Sequence, residues 1–122
     1  MADKKRILYV QTSGTDTPMR LYSPIVLATV AASMNLEATV FFLGTGLTAV
    51  KKGEPEKIEL GTFPPLSDVM QRALDAGVKF LVCDQSTQLM GLGRGDYIDG
   101  AEIVGAATLN DLALDADAVL CF

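Results

Sequence analysis

Short apolar runs alternate along this chain with stretches whose apolar residues recur at helical spacing. Ile7-Leu8-Tyr9-Val10 is the first run and gives way to Gln11-Thr12-Ser13-Gly14, which predicts a strand closed by a turn. A helix follows, with Thr17-Pro18 and Ser23-Pro24 as two competing start signals; a start at Pro18 would place Pro24 inside and kink it. Residues 25–34 are apolar on nearly every side, so that helix is expected to be buried or to lie in a subunit contact. Ala38 to Leu43 reads as a second strand, continuous enough in its apolar character for a sheet covered on both sides.

Gly44-Thr45-Gly46 and a short segment to Val50 come next, then a charged stretch, Lys51 to Gly61, which reads as a mobile loop. Leu66, Val69, Met70, Ala73 and Leu74 fall on one helix face, with Gly77 as the stop. Phe80 to Cys83, Ala101 to Gly105 and Ala118 to Cys121 predict three more strands, with a short helix over Leu109 to Leu114. Strands alternating with helices imply a parallel sheet with crossover connections. The expected fold class is α/β, a three-layer α/β/α sandwich around a five-stranded parallel sheet, as a single domain over residues 1–122.

Composition narrows the function. Apolar residues make up 49% and charged residues 20%, a globular balance. A net charge of −5 argues against a nucleic-acid partner, and Lys4-Lys5-Arg6 is the only basic cluster. The opening apolar run is too short for a signal peptide, and Pro24 to Met34 is too short to span a bilayer. The chain therefore reads as cytoplasmic, without a membrane partner and with both cysteines as reduced thiols. Two cysteines and no histidine cannot build a closed zinc site within one chain, so no metal and no cofactor is expected.

The missing histidine also removes Ser-His-Asp triads and Cys-His pairs, which leaves a thiol as the best nucleophile. Cys83 closes the run Phe80-Leu81-Val82-Cys83, where the chain turns polar at Asp84-Gln85-Ser86-Thr87. Ligands of open parallel sheets bind beyond the carboxyl ends of the strands. Three segments project there: Thr12 to Asp16, Gly44 to Leu47, and Cys83 to Gln88. Backbone N–H groups at helix starts on such an edge favour an anion, a thiolate or a persulfide included. Arg20 and Arg94 are the basic residues nearest in sequence. The plainer alternative is that Cys83 is a small buried hydrophobe, and for Cys121 the structural reading is the stronger one.

Strand spacing separates the two thiols. In either common strand order the third and fifth strands lie roughly 10–14 Å apart, beyond the ~7 Å between α-carbons that a disulfide allows. Two glycine patterns carry less than they suggest. Gly44-Thr45-Gly46-Leu47-Thr48-Ala49 matches G-x-G-x-x-A after a strand, but no acidic residue closes a later strand about twenty positions on. It reads as a tight turn packing strand against helix. Gly91-Leu92-Gly93-Arg94-Gly95-Asp96 reads as a flexible connection, and Asp84, Asp96 and Asp99 as solvated loop carboxylates. Asp84 would oppose ionisation of a thiol close beside it.

Taken together, the chain resembles the DsrE/DsrF-like family of small sulfur-relay proteins. The likeness lies in the first strand with Thr12-Ser13-Gly14, the apolar helix leading into Ala38-Thr39-Val40-Phe41-Phe42-Leu43-Gly44, and Val50-Lys51-Lys52-Gly53. It continues through Gly77-Val78-Lys79-Phe80-Leu81-Val82-Cys83 to Gly105, Leu109 and Ala116-Asp117-Ala118-Val119-Leu120. The resemblance implies homotrimers or hexamers and a persulfide carried on Cys83. Some relatives carry a second cysteine in the loop after the first, whereas Leu89 to Gly95 supplies none here.

The expected activity is that of a sulfur carrier or sulfurtransferase. Cys83 would take sulfur from a donor protein and pass it to an acceptor protein. Backbone N–H groups near Ser13-Gly14 and Gln85-Ser86 would line the pocket and hold the anion. The rival expectations are an oligomeric module that binds a small ligand without catalysis, and a peroxide-reducing thiol protein.

Overall fold

The computed structural model describes residues 4–122, so residues 1–3 of the expected domain lie outside the described residues. Five parallel strands form one sheet: β1 (Arg6–Gln11), β2 (Glu37–Phe42), β3 (Lys79–Cys83), β4 (Ala101–Val104) and β5 (Ala118–Cys121). Their spatial order is β4-β3-β2-β1-β5. Four helices connect them: α1 (Met19–Ser33), α2 (Leu66–Asp75), α3 (Asp84–Leu89) and α4 (Ala106–Asp115). The five expected strands and the parallel sheet are present, with boundaries within about two residues of those read from the sequence.

Side chains alternate across each strand, and the two faces of the sheet are packed differently. Tyr9, Val40, Phe42, Phe80 and Val82 point to the first face, where α1 and α2 bury them. Ile25, Ala28 and Ala31 of α1 and Leu66, Val69, Met70 and Ala73 of α2 supply the other half of that core. Leu8, Val10, Phe41, Leu81 and Cys83 point to the second face, against the half-buried Leu109 and Leu112 of α4. The cover of this face is thin, for α4 has no fully buried residue. Toward the amino ends of the strands the second face turns polar. Arg6, Glu37, Thr39, Lys79 and Glu102 line an open groove of about 510 Å³ there, and Arg6 pairs with Glu37 at 2.8 Å.

Helix α1 starts after Pro18 and carries Pro24 as a buried interior residue, which settles the two competing start signals in favour of the earlier. Only part of residues 25–34 is core: Leu27, Val30 and Met34 remain exposed. Three helices end in the same way. After α1, α2 and α3 the residues Asn35, Gly77 and Gly91 take positive φ, and Leu36, Val78 and Leu92 donate back to Ala31, Ala73 and Thr87. Helix α3 has no counterpart in the apolar pattern of the sequence, because five of its six residues are polar and leave no apolar period.

The loops contain more local structure than their composition suggests. Within Lys51 to Gly61, expected as a mobile loop, the chain forms a 3-10 turn at Pro55–Lys57 with Pro55 buried. Gly91 to Asp96, expected as a flexible connection, contains the α3 stop and a 3-10 turn at Arg94–Asp96, closed by Gly93 N donating to Asp96 Oδ2 at 2.7 Å. Helix α4 is longer than the Leu109–Leu114 stretch read from the sequence.

Candidate functional site

Cys83 is the last residue of β3 and the N-cap of α3, with φ −70° and ψ 124°. Strand alternation turns its side chain to the second face, among Leu81, Phe41 and Val10, and leaves it 2% exposed. Its register partner on β4 is Val104, and α4 begins two residues later. The first turns of α3 and α4 therefore both start at this corner of the sheet, and their unpaired N–H groups favour negative charge. Asp84 is turned away to solvent, where its Oδ2 accepts from Gln88 Nε2 at 3.2 Å along α3. The carboxylate that would oppose a thiolate is thus engaged on the outer side of the helix.

The three segments expected at the carboxyl edge do meet. Thr15 N donates to Thr48 Oγ1 at 3.0 Å, and Gly44 N donates to Ser86 Oγ at 2.9 Å, so the loop after β1, the turn after β2 and α3 form one line of contacts. Not every expected pocket residue is brought to the thiol. Gly14 is packed against Thr45 and Thr48. The strand order places β1 two strands from β3, roughly 10 Å, so Ser13 and Gly14 neighbour the turn after β2 rather than Cys83. Ser13 N also donates to the Phe122 carbonyl at 3.3 Å. Gln85 and Ser86 follow Cys83 directly in α3; Gln85 is exposed and Ser86 is buried.

Cys121 is not the core residue expected. It is an exposed free thiol at the end of the edge strand β5, beside Val10. It shares the second face with Cys83 but lies three strand spacings away, roughly 14 Å, which excludes a bond within the chain. Arg20 and Arg94 are both exposed. Among the described residues no cluster of histidine, cysteine and carboxylates could hold a metal ion, and no helix is long and apolar enough to cross a membrane.

A buried hydroxyl pair lies behind the thiol. Thr87 Oγ1 donates to the Cys83 carbonyl at 2.9 Å and lies 2.7 Å from the Tyr97 hydroxyl. Burial pushes the Tyr97 phenol above its usual 10.0; the bond to Thr87 opposes this, and the nearby carboxylates of Asp96 and Asp84 add to it. A threonine four residues after Cys83 in a helix was the one available signal, because that spacing reaches the i−4 carbonyl.

The pattern of the DsrE/DsrF-like family matches residues 5–122. The chain belongs to that family. An uncharacterized protein of Methanocaldococcus jannaschii is 33% identical to this chain over 102 residues. That match takes in 84% of this chain but only 37% of the archaeal protein. The sulfur carrier protein DsrE2 of Allochromatium vinosum is 22% identical, with 97% of this chain and 98% of that protein aligned. Two solved structures share the fold. The ychN protein of E. coli superposes with a TM-score of 0.75 at 22% identity, over 98% of this chain and 100% of that one. A Methanobacterium thermoautotrophicum protein of unknown function, MTH1491, gives 0.70 at 15% identity, over 98% and 100%.

Proposed function

We propose that this DsrE/DsrF-like protein carries sulfur as a persulfide on Cys83. The observation that carries the reading is the position of that thiol, at the exit of β3 where the first turns of α3 and α4 converge. Membership in a sulfur-relay family and the likeness to a sulfur carrier protein support it. In the loading step the Cys83 thiolate attacks the terminal sulfur of a donor protein's persulfide. The donor's S–S bond breaks, its thiolate leaves, and a Cys83 persulfide remains. An acceptor thiolate then attacks that terminal sulfur and releases the Cys83 thiolate, so the two exchanges need no outside oxidant or reductant. The site residues of this reading are Cys83 as the carrier and the backbone N–H groups of Gln85 and Ser86 as anion donors.

The partners of the reading are a protein donor and a protein acceptor, met in the cytoplasm. We further propose a homo-oligomer, a trimer or hexamer, supported by the exposed apolar stripe Leu27, Val30 and Met34 along α1. Mass spectrometry after incubation with a persulfide donor tests the function. Cys121→Ser is expected to gain one sulfur atom, and the same protein with Cys83→Ser added none. No gain in Cys121→Ser would overturn the assignment.

A further inference from the structure

Proton counting gives the Thr87–Tyr97 contact a direction. The Cys83 carbonyl only accepts, so the single Thr87 hydroxyl proton is committed to it. The 2.7 Å contact then requires Tyr97 to donate to Thr87. The result is a directed chain from the Tyr97 O–H, through the Thr87 O–H, to the Cys83 C=O. Tyr97 is itself held from outside α3. It forms an isolated bridge with Lys51, and the flanking residues bond to the same segment: Ile98 N to Val50 O at 2.9 Å, and Lys52 N to Asp96 O at 2.8 Å. Its side chain belongs to the first-face core, whereas the Cys83 side chain belongs to the second. The hydroxyl chain thus links one core to a thiol that looks into the other.

We propose that Thr87 and Tyr97 are positioning residues for the Cys83 sulfur. The inference rests on the carrier reading for its purpose, though not for its geometry. The carbonyl they hold lies at the strand-to-helix junction, where the backbone sets the direction of the Cα–Cβ bond and so of the sulfur. Thiol–persulfide exchange needs that sulfur in line with the S–S bond it attacks, so a small misdirection is costly.

The test uses Cys121→Ser as background, with Thr87→Val, Tyr97→Phe and Thr87→Ser added singly. Two quantities are read at temperatures where circular dichroism shows each variant folded: the rate–pH profile of Cys83 alkylation by iodoacetamide, and the rate of persulfide loading. Thr87→Val and Tyr97→Phe are each expected to change the alkylation rate by about tenfold, and Thr87→Ser to restore it to within about twofold. Val and Phe variants within about twofold of the background, or a Ser variant that behaves like Val, would overturn the proposal; so would rate changes that only follow each variant's loss of stability, since Cys83 is buried and a purely structural pair acts on its alkylation through opening alone. Tyr97→Phe removes a single oxygen and decides the matter if Thr87→Val does not fold. Failure of the carrier reading is seen separately: the background protein alkylates, the variants differ as expected, and no persulfide forms.

Discussion

Gly46 lies so close to the Gln11 carbonyl oxygen that an added methyl group would overlap it. Gly46→Ala is therefore expected to cost about 1–3 kcal/mol in guanidinium unfolding, because a backbone oxygen cannot swing aside. Gly53 has positive φ but open space around it, so Gly53→Ala should cost less, about 1 kcal/mol. The role of Gly46 was legible as a tight turn, since the G-x-G-x-x-A pattern lacked its acidic partner. The roles of Thr87 and Tyr97 were not, because their meeting depends on a tertiary contact between residues ten apart. Burial raises the phenols of Tyr9, Tyr22 and Tyr97 above 10.0. A group whose folded value is raised stabilises the protein below its unfolded value, and that contribution is lost as pH rises through the folded one. The melting temperature is expected to hold up to about pH 9 and fall above about pH 10, with a shallower fall in Tyr97→Phe.

Among the elements, α4 controls access to the thiol, since its half-buried Leu109 and Leu112 pack on the cluster that contains Cys83. Iodoacetamide is expected to modify Cys121 at least about tenfold faster than Cys83 in the native protein, read by peptide mass mapping. Leu109→Ala should narrow that gap by exposing Cys83; equal rates in the unaltered protein would remove α4 as a cover. The strands of this fold were legible because each is a continuous apolar run, and α2 because its apolar positions keep helical spacing up to Gly77. Helix α3 was hidden by its polarity. Val119-Leu120-Cys121 looks like core in the sequence, yet β5 is an edge strand with exposed side chains. An apolar run shows that a segment pairs in a sheet, but not whether a neighbour lies beyond it.

At the scale of the whole molecule, the apolar stripe on α1 continues into a groove of about 590 Å³ lined by Met19, Tyr22, Val26, Leu27, Leu60 and Phe63. Residues 21–34 carry no charge in a chain of net −5, so copies can meet there without opposing carboxylates. Val30, 49% exposed, is the residue to change: Val30→Glu should weaken self-association about tenfold or more in sedimentation equilibrium while circular dichroism shows the chain still folded. An unchanged assembly would place the contact elsewhere. The expectation that residues 25–34 are buried or in a subunit contact came from their uniform apolarity, and the fold divides them between core and surface. The strand order also sets how the chain must assemble in time. β1 is made first, yet its outer neighbour β5 is made last, and the bond from Arg6 N to Asp117 Oδ2 closes a span of 111 residues. Until β5 emerges from the ribosome, Ile7-Leu8-Tyr9-Val10 presents an uncharged, unpaired edge to every other nascent chain. The closure of that edge, rather than the stability of the finished sheet, is where folding of this protein is expected to compete with aggregation.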